Sequence, residues 1–123
     1  MKVFSIIESP SHPQLGQLLN DHGYEEIIFT TMRKAIQALK QTRPQLVIAD
    51  FLYGYGNNYA GVNISNLDVF LYSLDKYAPE ARVLALYEKS EKKYIEEFSR
   101  IFPDVICVEL PVNPEQIEQI LQQ

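Results

Sequence analysis

Five short, nearly unbroken apolar runs punctuate the chain, at residues 3–7, 27–29, 46–49, 83–86 and 105–108. Between them the apolar residues change period. Leu15, Leu18 and Leu19 form one helical stripe, and Met32, Ala35, Ile36 and Leu39 a second. Leu67, Phe70, Leu71 and Leu74 form a third, and Tyr94, Ile95, Phe98, Ile101 and Phe102 a fourth. Ile117, Ile120 and Leu121 make a short fifth. A run of four or five apolar residues is too short for a helix and suits a strand buried on both faces. Such strands lie in a parallel sheet covered by helices, and a parallel pair needs a crossover between its members. The order is therefore β-α five times over. Right-handed crossovers then give an α/β fold, a five-stranded parallel sheet with helices on both faces.

The punctuation agrees with that order. Ser11 is positioned to cap the first helix, with Pro13 in its first turn, and Gly23 follows it where a left-handed residue is common. Pro44, Pro79 and Pro103 each stand between a helix and the next strand. Asn113-Pro114 sets a cap residue before a first-turn proline, and Gln116 completes a capping-box pattern.

A length of 123 residues fits a single domain spanning 1–123 and allows a core that needs no disulfide or metal staple. The single cysteine, Cys107, excludes an internal disulfide and a Cys-rich zinc site. A net charge of −5 argues against nucleic acid and against an anionic membrane surface as partners. The N-terminal apolar run ends at Glu8 and Pro10, too early for a signal-peptide core, and no run approaches the ~20 apolar residues of a membrane span. The expected location is the cytoplasm.

In a parallel sheet, ligands gather at the carboxyl ends of the strands, near the point where the strand order reverses. The residues to examine are Glu8-Ser9, Asp50, Tyr87-Glu88 and Leu110-Pro111. With these, the chain resembles the receiver domain of bacterial two-component response regulators. "KVFSIIESPS" lies where that family has an acidic pair after its first strand. "GYEEIIFTTMRKAIQAL" is similar to the family's second strand and helix. "RPQLVIADF" ends on Asp50, where the phospho-accepting aspartate stands. "VICVELPVNPEQIEQIL" is similar to the last strand, the Lys-Pro pair and the final helix. The resemblance implies a flavodoxin-like, receiver-like three-layer sandwich of (βα)5 type and a part in signal transduction or a phosphorelay.

It also implies a phosphorylation site, which this sequence keeps only in part. In active receivers two acidic residues and the aspartate hold Mg²⁺, and a lysine and a small hydroxyl residue attend the phosphoryl group. Here Asp50 is present and Glu8 matches the first acidic position. Ser9 stands at the second, Tyr87 at the hydroxyl position and Leu110 at the lysine, with Pro111 kept. Cys107 stands where many receivers carry a rotating aromatic residue, and the Met-Pro pair usual after the aspartate is missing. Charge-assisted contacts are each worth ~1.5–3 kcal/mol, so losing the lysine and a carboxylate weakens phosphoryl stabilisation by several kcal/mol.

Three readings follow. The first is an atypical receiver or pseudo-receiver that is not an enzyme, carries no cofactor and acts by protein contact. The second is a phosphoacceptor, with Glu8 and Asp50 holding Mg²⁺. The third is a small-molecule or flavin binder on the same fold, using Ser9-Pro10-Ser11 at a helix N-terminus. Each residue also has a plain alternative. Asp50 is then an inherited carboxylate at a strand exit, and Glu8 answers backbone N–H groups at the first helix. Tyr87 either fills the vacated pocket or is a partly exposed aromatic at a strand end, and Leu110 packs beside Pro111. Cys107 is expected as a buried, inert thiol, and His12 and His22 as surface histidines.

Residues 51–62, rich in Tyr, Gly and Asn, run longer than the family's usual connection. Tyr53, Tyr55 and Tyr59 there suit a surface for a protein partner, or a lid over the site. The resemblance implies a histidine kinase or an output protein as partner, and a homodimer through the helix 4–strand 5–helix 5 face. Because the five units use all 123 residues, any output of this chain is expected to pass through its own surface. Glu91, Lys92, Lys93, Glu96, Glu97 and Arg100 otherwise read as a solvated face.

Overall fold

The structure is a computed structural model that describes residues 1–54 and 64–123. Five strands, β1 (Lys2–Ile6), β2 (Glu25–Phe29), β3 (Leu46–Asp50), β4 (Arg82–Tyr87) and β5 (Ile106–Glu109), form one parallel sheet in the order β2-β1-β3-β4-β5. The helices are α1 (Gly16–Asp21), α2 (Met32–Ala38), α3 (Asp68–Tyr77), α4 (Lys92–Ile101) and α5 (Pro114–Leu121). A 3-10 turn at Lys89–Glu91 leads into α4.

Alternation along the strands divides the core in two. Phe4, Ile6, Val47, Ala49, Val83 and Ala85 face α2, α3 and α4, where Ala35, Phe70, Leu74, Ile95 and Phe98 meet them. Val3, Leu46, Ile48, Leu84 and Leu86 face α1 and α5, against Leu15, Leu19 and Ile117. Each fully buried aliphatic or aromatic side chain contributes about 1.5–3 kcal/mol, so neither face is dispensable. All five residues of β3 are buried, which explains the unbroken run in the sequence. The edge strands differ from expectation. β2 and β5 are only partly covered, and Ile28 is 58% exposed, because an edge strand has a neighbour on one side only.

The helix stops follow the turn chemistry. Asn113 and Gln116 form a reciprocal capping box at α5, and Gly23 takes φ 83° after α1. One expectation fails: α1 begins at Gly16, not after Ser11, and Leu15 caps it with no side-chain hydrogen bond. Residues 9–12 form a turn of their own instead, in which the His12 N–H donates to Ser9 O at 3.2 Å. Pro10 occupies its second position, where a fixed φ favours a turn over a helix.

Candidate functional site

β1 and β3 are neighbours whose crossovers leave in opposite directions, β1 towards β2 and β3 towards β4. Their carboxyl ends therefore open a crevice at the switch point of the sheet. Asp50, the last residue of β3, lies at its floor and is 1% exposed. Both of its carboxylate oxygens are engaged. Oδ2 accepts from the Glu8 N–H at 2.8 Å and the Ser9 N–H at 3.1 Å. Oδ1 lies 3.0 Å from Nδ1 of His12, whose side chain is 3% exposed. An ionised carboxylate only accepts, so against it the ring presents its N–H at Nδ1. The turn at residues 9–12, tightened by the Ser11 N–H donating to Ser9 Oγ at 3.2 Å, carries this imidazole back onto the strand exit.

Glu8 is tied down from the other side. Its Oε1 accepts from Asn66 Nδ2 at 2.8 Å, and the same amide donates to the Asp50 carbonyl at 2.8 Å. Asn66 Oδ1 accepts from the Leu52 N–H, also at 2.8 Å. Burial pushes the Glu8 carboxyl up from its ordinary range; the Asn66 hydrogen bond opposes this and the nearby Asp50 charge adds to it. The bland reading of Glu8, a partner for N–H groups of the first helix, is thus replaced by a side-chain bridge to the start of α3.

His12 is the chief correction. It is a buried partner of Asp50 rather than a surface histidine. His22 is part-exposed, with Nε2 3.4 Å from Glu118 Oε2. The expectation of a helix N-terminus behind Ser9-Pro10-Ser11 also fails, since α1 starts five residues after Ser11 and has six residues.

Leu110 and Tyr87 pack against opposite cores of the sheet. Leu110 is 5% exposed and packs with Leu15, Val112 and Ile117 between α1 and α5; Pro111, joined to it by a cis peptide bond, is exposed. Tyr87 pairs in register with Glu109 and packs on the α4 side of the core. Burial raises the Tyr87 phenol, and Glu109, Cys107 and Glu96 add their charge. The ring is a half-buried aromatic at a strand end.

Cys107 is likewise half-buried, with Sγ 3.3 Å from Ser99 Oγ, and burial pushes its thiol up. That reduces its thiolate fraction and hence its reactivity.

Tyr53 stacks on Tyr94 of α4 with centroids 3.5 Å apart, while its N–H donates to Glu91 Oε2 at 2.9 Å. Its pairing with Ser65 and the Gly54 N–H to Ile64 O bond form a stem that holds the segments after β3 and before α3 side by side. Tyr55 and Tyr59 lie outside the described residues. At the foot of this stem Asp68 is buried and accepts from the N–H groups of Ile64 and Ser65 and from Ser65 Oγ.

The residues present do not suit the Mg²⁺ that the receiver resemblance implies. Mg²⁺ takes an octahedron of oxygens and is usually held by one or two carboxylates. Here Ser9 replaces one carboxylate, both Asp50 oxygens are engaged by N–H groups and the His12 ring, and Glu8 is held by Asn66. Among the described residues no three His, Cys, Asp or Glu side chains form a metal-holding cluster. As arranged, the site joins the β1–α1 turn to β3 and to the start of α3.

Asn66 and His12 escaped sequence reasoning for different reasons. Pro10 at the second position of a four-residue turn was a signal that His12 doubles back. Nothing local marks Asn66, which meets Glu8 across 58 residues of chain.

No family model and no curated protein matches this sequence. The similarity lies in the solved structures. A CheY-like response regulator receiver domain protein from Methanospirillum hungatei superposes with a TM-score of 0.70 at 13% identity, over 98% of this chain and 90% of that one. A response regulator receiver protein from Sinorhizobium medicae does so at 0.71 and 18% identity, over 99% and 90%. The fold is that of a receiver domain. A structure described as an adenylate cyclase from Rhodopirellula baltica matches equally well, at 0.70 and 13% identity over 98% and 84%, so the fold by itself assigns no activity. No described helix is long and apolar enough to cross a membrane.

Proposed function

We propose that this chain is a regulatory receiver-like module that acts through protein–protein contact, without phosphorylation of Asp50, without Mg²⁺ and without catalysis. The observation that carries this reading is the buried Asp50 carboxylate, with both oxygens engaged by two backbone N–H groups and one imidazole. A phosphoryl acceptor needs a free oxygen aimed outward and cations around it. Leu110, packed into the core, offers no charge at the lysine position. The receiver fold supports a signalling role in this reading, and a kinase or an output protein is the kind of partner it fits.

The contact surface in this reading includes Tyr53 and Tyr94 beside the long β3–α3 connection. The α4–β5–α5 side, with its exposed Lys92, Lys93, Glu96, Glu97 and Arg100, is the surface for a second copy.

Intact mass after incubation with acetyl phosphate and Mg²⁺ tests the central claim. The expected result is an unchanged mass. Gain of one phosphoryl group, abolished in Asp50→Asn, would overturn it in favour of a working phosphoacceptor.

A further inference from the structure

We propose that His12 is a built-in substitute for the cation of this site: its Nδ1–H takes the Asp50 oxygen that a metal would occupy and so keeps the crevice closed to divalent ions. The inference rests on the reading above and names the residue responsible for it.

Three observations carry it. The first is position. His12 Nδ1 lies 3.0 Å from Asp50 Oδ1, the one carboxylate oxygen not already held by the Glu8 and Ser9 N–H groups. The second is burial. The His12 side chain is 3% exposed and that of Asp50 1%, so the contact is not a surface ion pair that water would exchange freely. The third is how the ring is delivered. The His12 N–H to Ser9 O and Ser11 N–H to Ser9 Oγ bonds close a turn with Pro10 at its second position. Glu8, just before this turn, and Ser9, which opens it, donate their own N–H groups to the same carboxylate. One short segment, residues 8–12, thus supplies the three donors to the Asp50 carboxylate.

The chemistry makes imidazole a workable stand-in. Two carboxylates, Glu8 and Asp50, share the crevice and each needs compensation. Asn66 serves Glu8, and His12 serves Asp50. A divalent ion would have to displace the ring, and its apparent affinity is lowered by the small fraction of molecules in which the ring is away. Removing the ring leaves Asp50 Oδ1 without its donor, beside the Glu8 carboxylate.

Calorimetric titration of Mg²⁺ into the wild-type chain and His12→Ala, each verified as folded by circular dichroism, tests this. The expected result is that H12A binds Mg²⁺ about tenfold or more tightly than wild type, and that Asp50→Asn in the H12A background removes the gain. Equal affinity in wild type and H12A would overturn the substitution, and with an unphosphorylated wild type the functional reading would still stand. A wild type that gained a phosphoryl group on Asp50 would overturn both.

A measurement on the wild-type chain does not depend on the variant folding. Ring ¹⁵N correlation spectra should show His12 with its proton at Nδ1, shifting in D50N. A wild-type His12 ring carrying its only proton at Nε2 would also overturn the proposal.

Discussion

Glu8 shows what burial does to one carboxylate. Its carboxyl is raised by desolvation, and the Asp50 charge pushes the same way. The native state therefore holds the Glu8 proton more tightly than the unfolded chain does. Its contribution to stability is fully present below the unfolded carboxyl range and is lost as pH rises through the native one. Glu8→Gln keeps an acceptor for Asn66 and has nothing to titrate. The melting temperature of E8Q should therefore rise relative to wild type as pH climbs above the ordinary carboxyl range, and the two should converge below it. A pH series of thermal melts checks this; a constant difference would show that the charge is not the cause. The sequence already marked Glu8 and Asp50 as a pair, because both stand at strand exits. It gave no sign that the pair is held by His12 and Asn66, since hydrogen bonds across 38 and 58 residues leave no local pattern.

Helix starts differ in how much of their chemistry is local. At α5 the Asn113 and Gln116 side chains cap each other's backbone within four residues, so the motif was legible as written. At α3 the work falls to Asp68, a buried carboxylate inside the first turn that gathers three donors from Ile64 and Ser65. The two arrangements should differ in cost. Asn113→Ala removes an exposed cap and should lower stability by about 1 kcal/mol. Asp68→Ala leaves buried donors unpaired and should cost about 3 kcal/mol. Urea titrations of both variants measure this, and equal midpoints would contradict the ranking. The start of α1 was misjudged for a related reason. Ser11 is a good cap and Pro13 a good first-turn residue, but Pro10 first closes a separate turn and delays the helix to Gly16.

The whole molecule is one sheet with a core on each face, and both cores share the strand backbones. Phe98 is fully buried, with its ring 5.2 Å from Phe51 and 5.0 Å from Phe102, so it ties α4 to the end of β3. Phe98→Ala should cost about 4 kcal/mol while unfolding remains a single transition. Tyrosine fluorescence, unobscured because the chain has no tryptophan, and far-ultraviolet dichroism should then give coincident curves. Divergent curves would mean that the two faces unfold separately. By itself the sequence determined the order of strands and helices, the central place of residues 46–50 and the position of Asp50 at a strand exit. Those properties are written in apolar period and turn residues, which act over a few neighbours. Only the tertiary structure decided what surrounds Asp50. The hydrogen bonding of Asp50 with His12, Glu8 and Asn66 depends on which distant segments the sheet brings together, and on which polar atoms are left to satisfy one another once water is excluded.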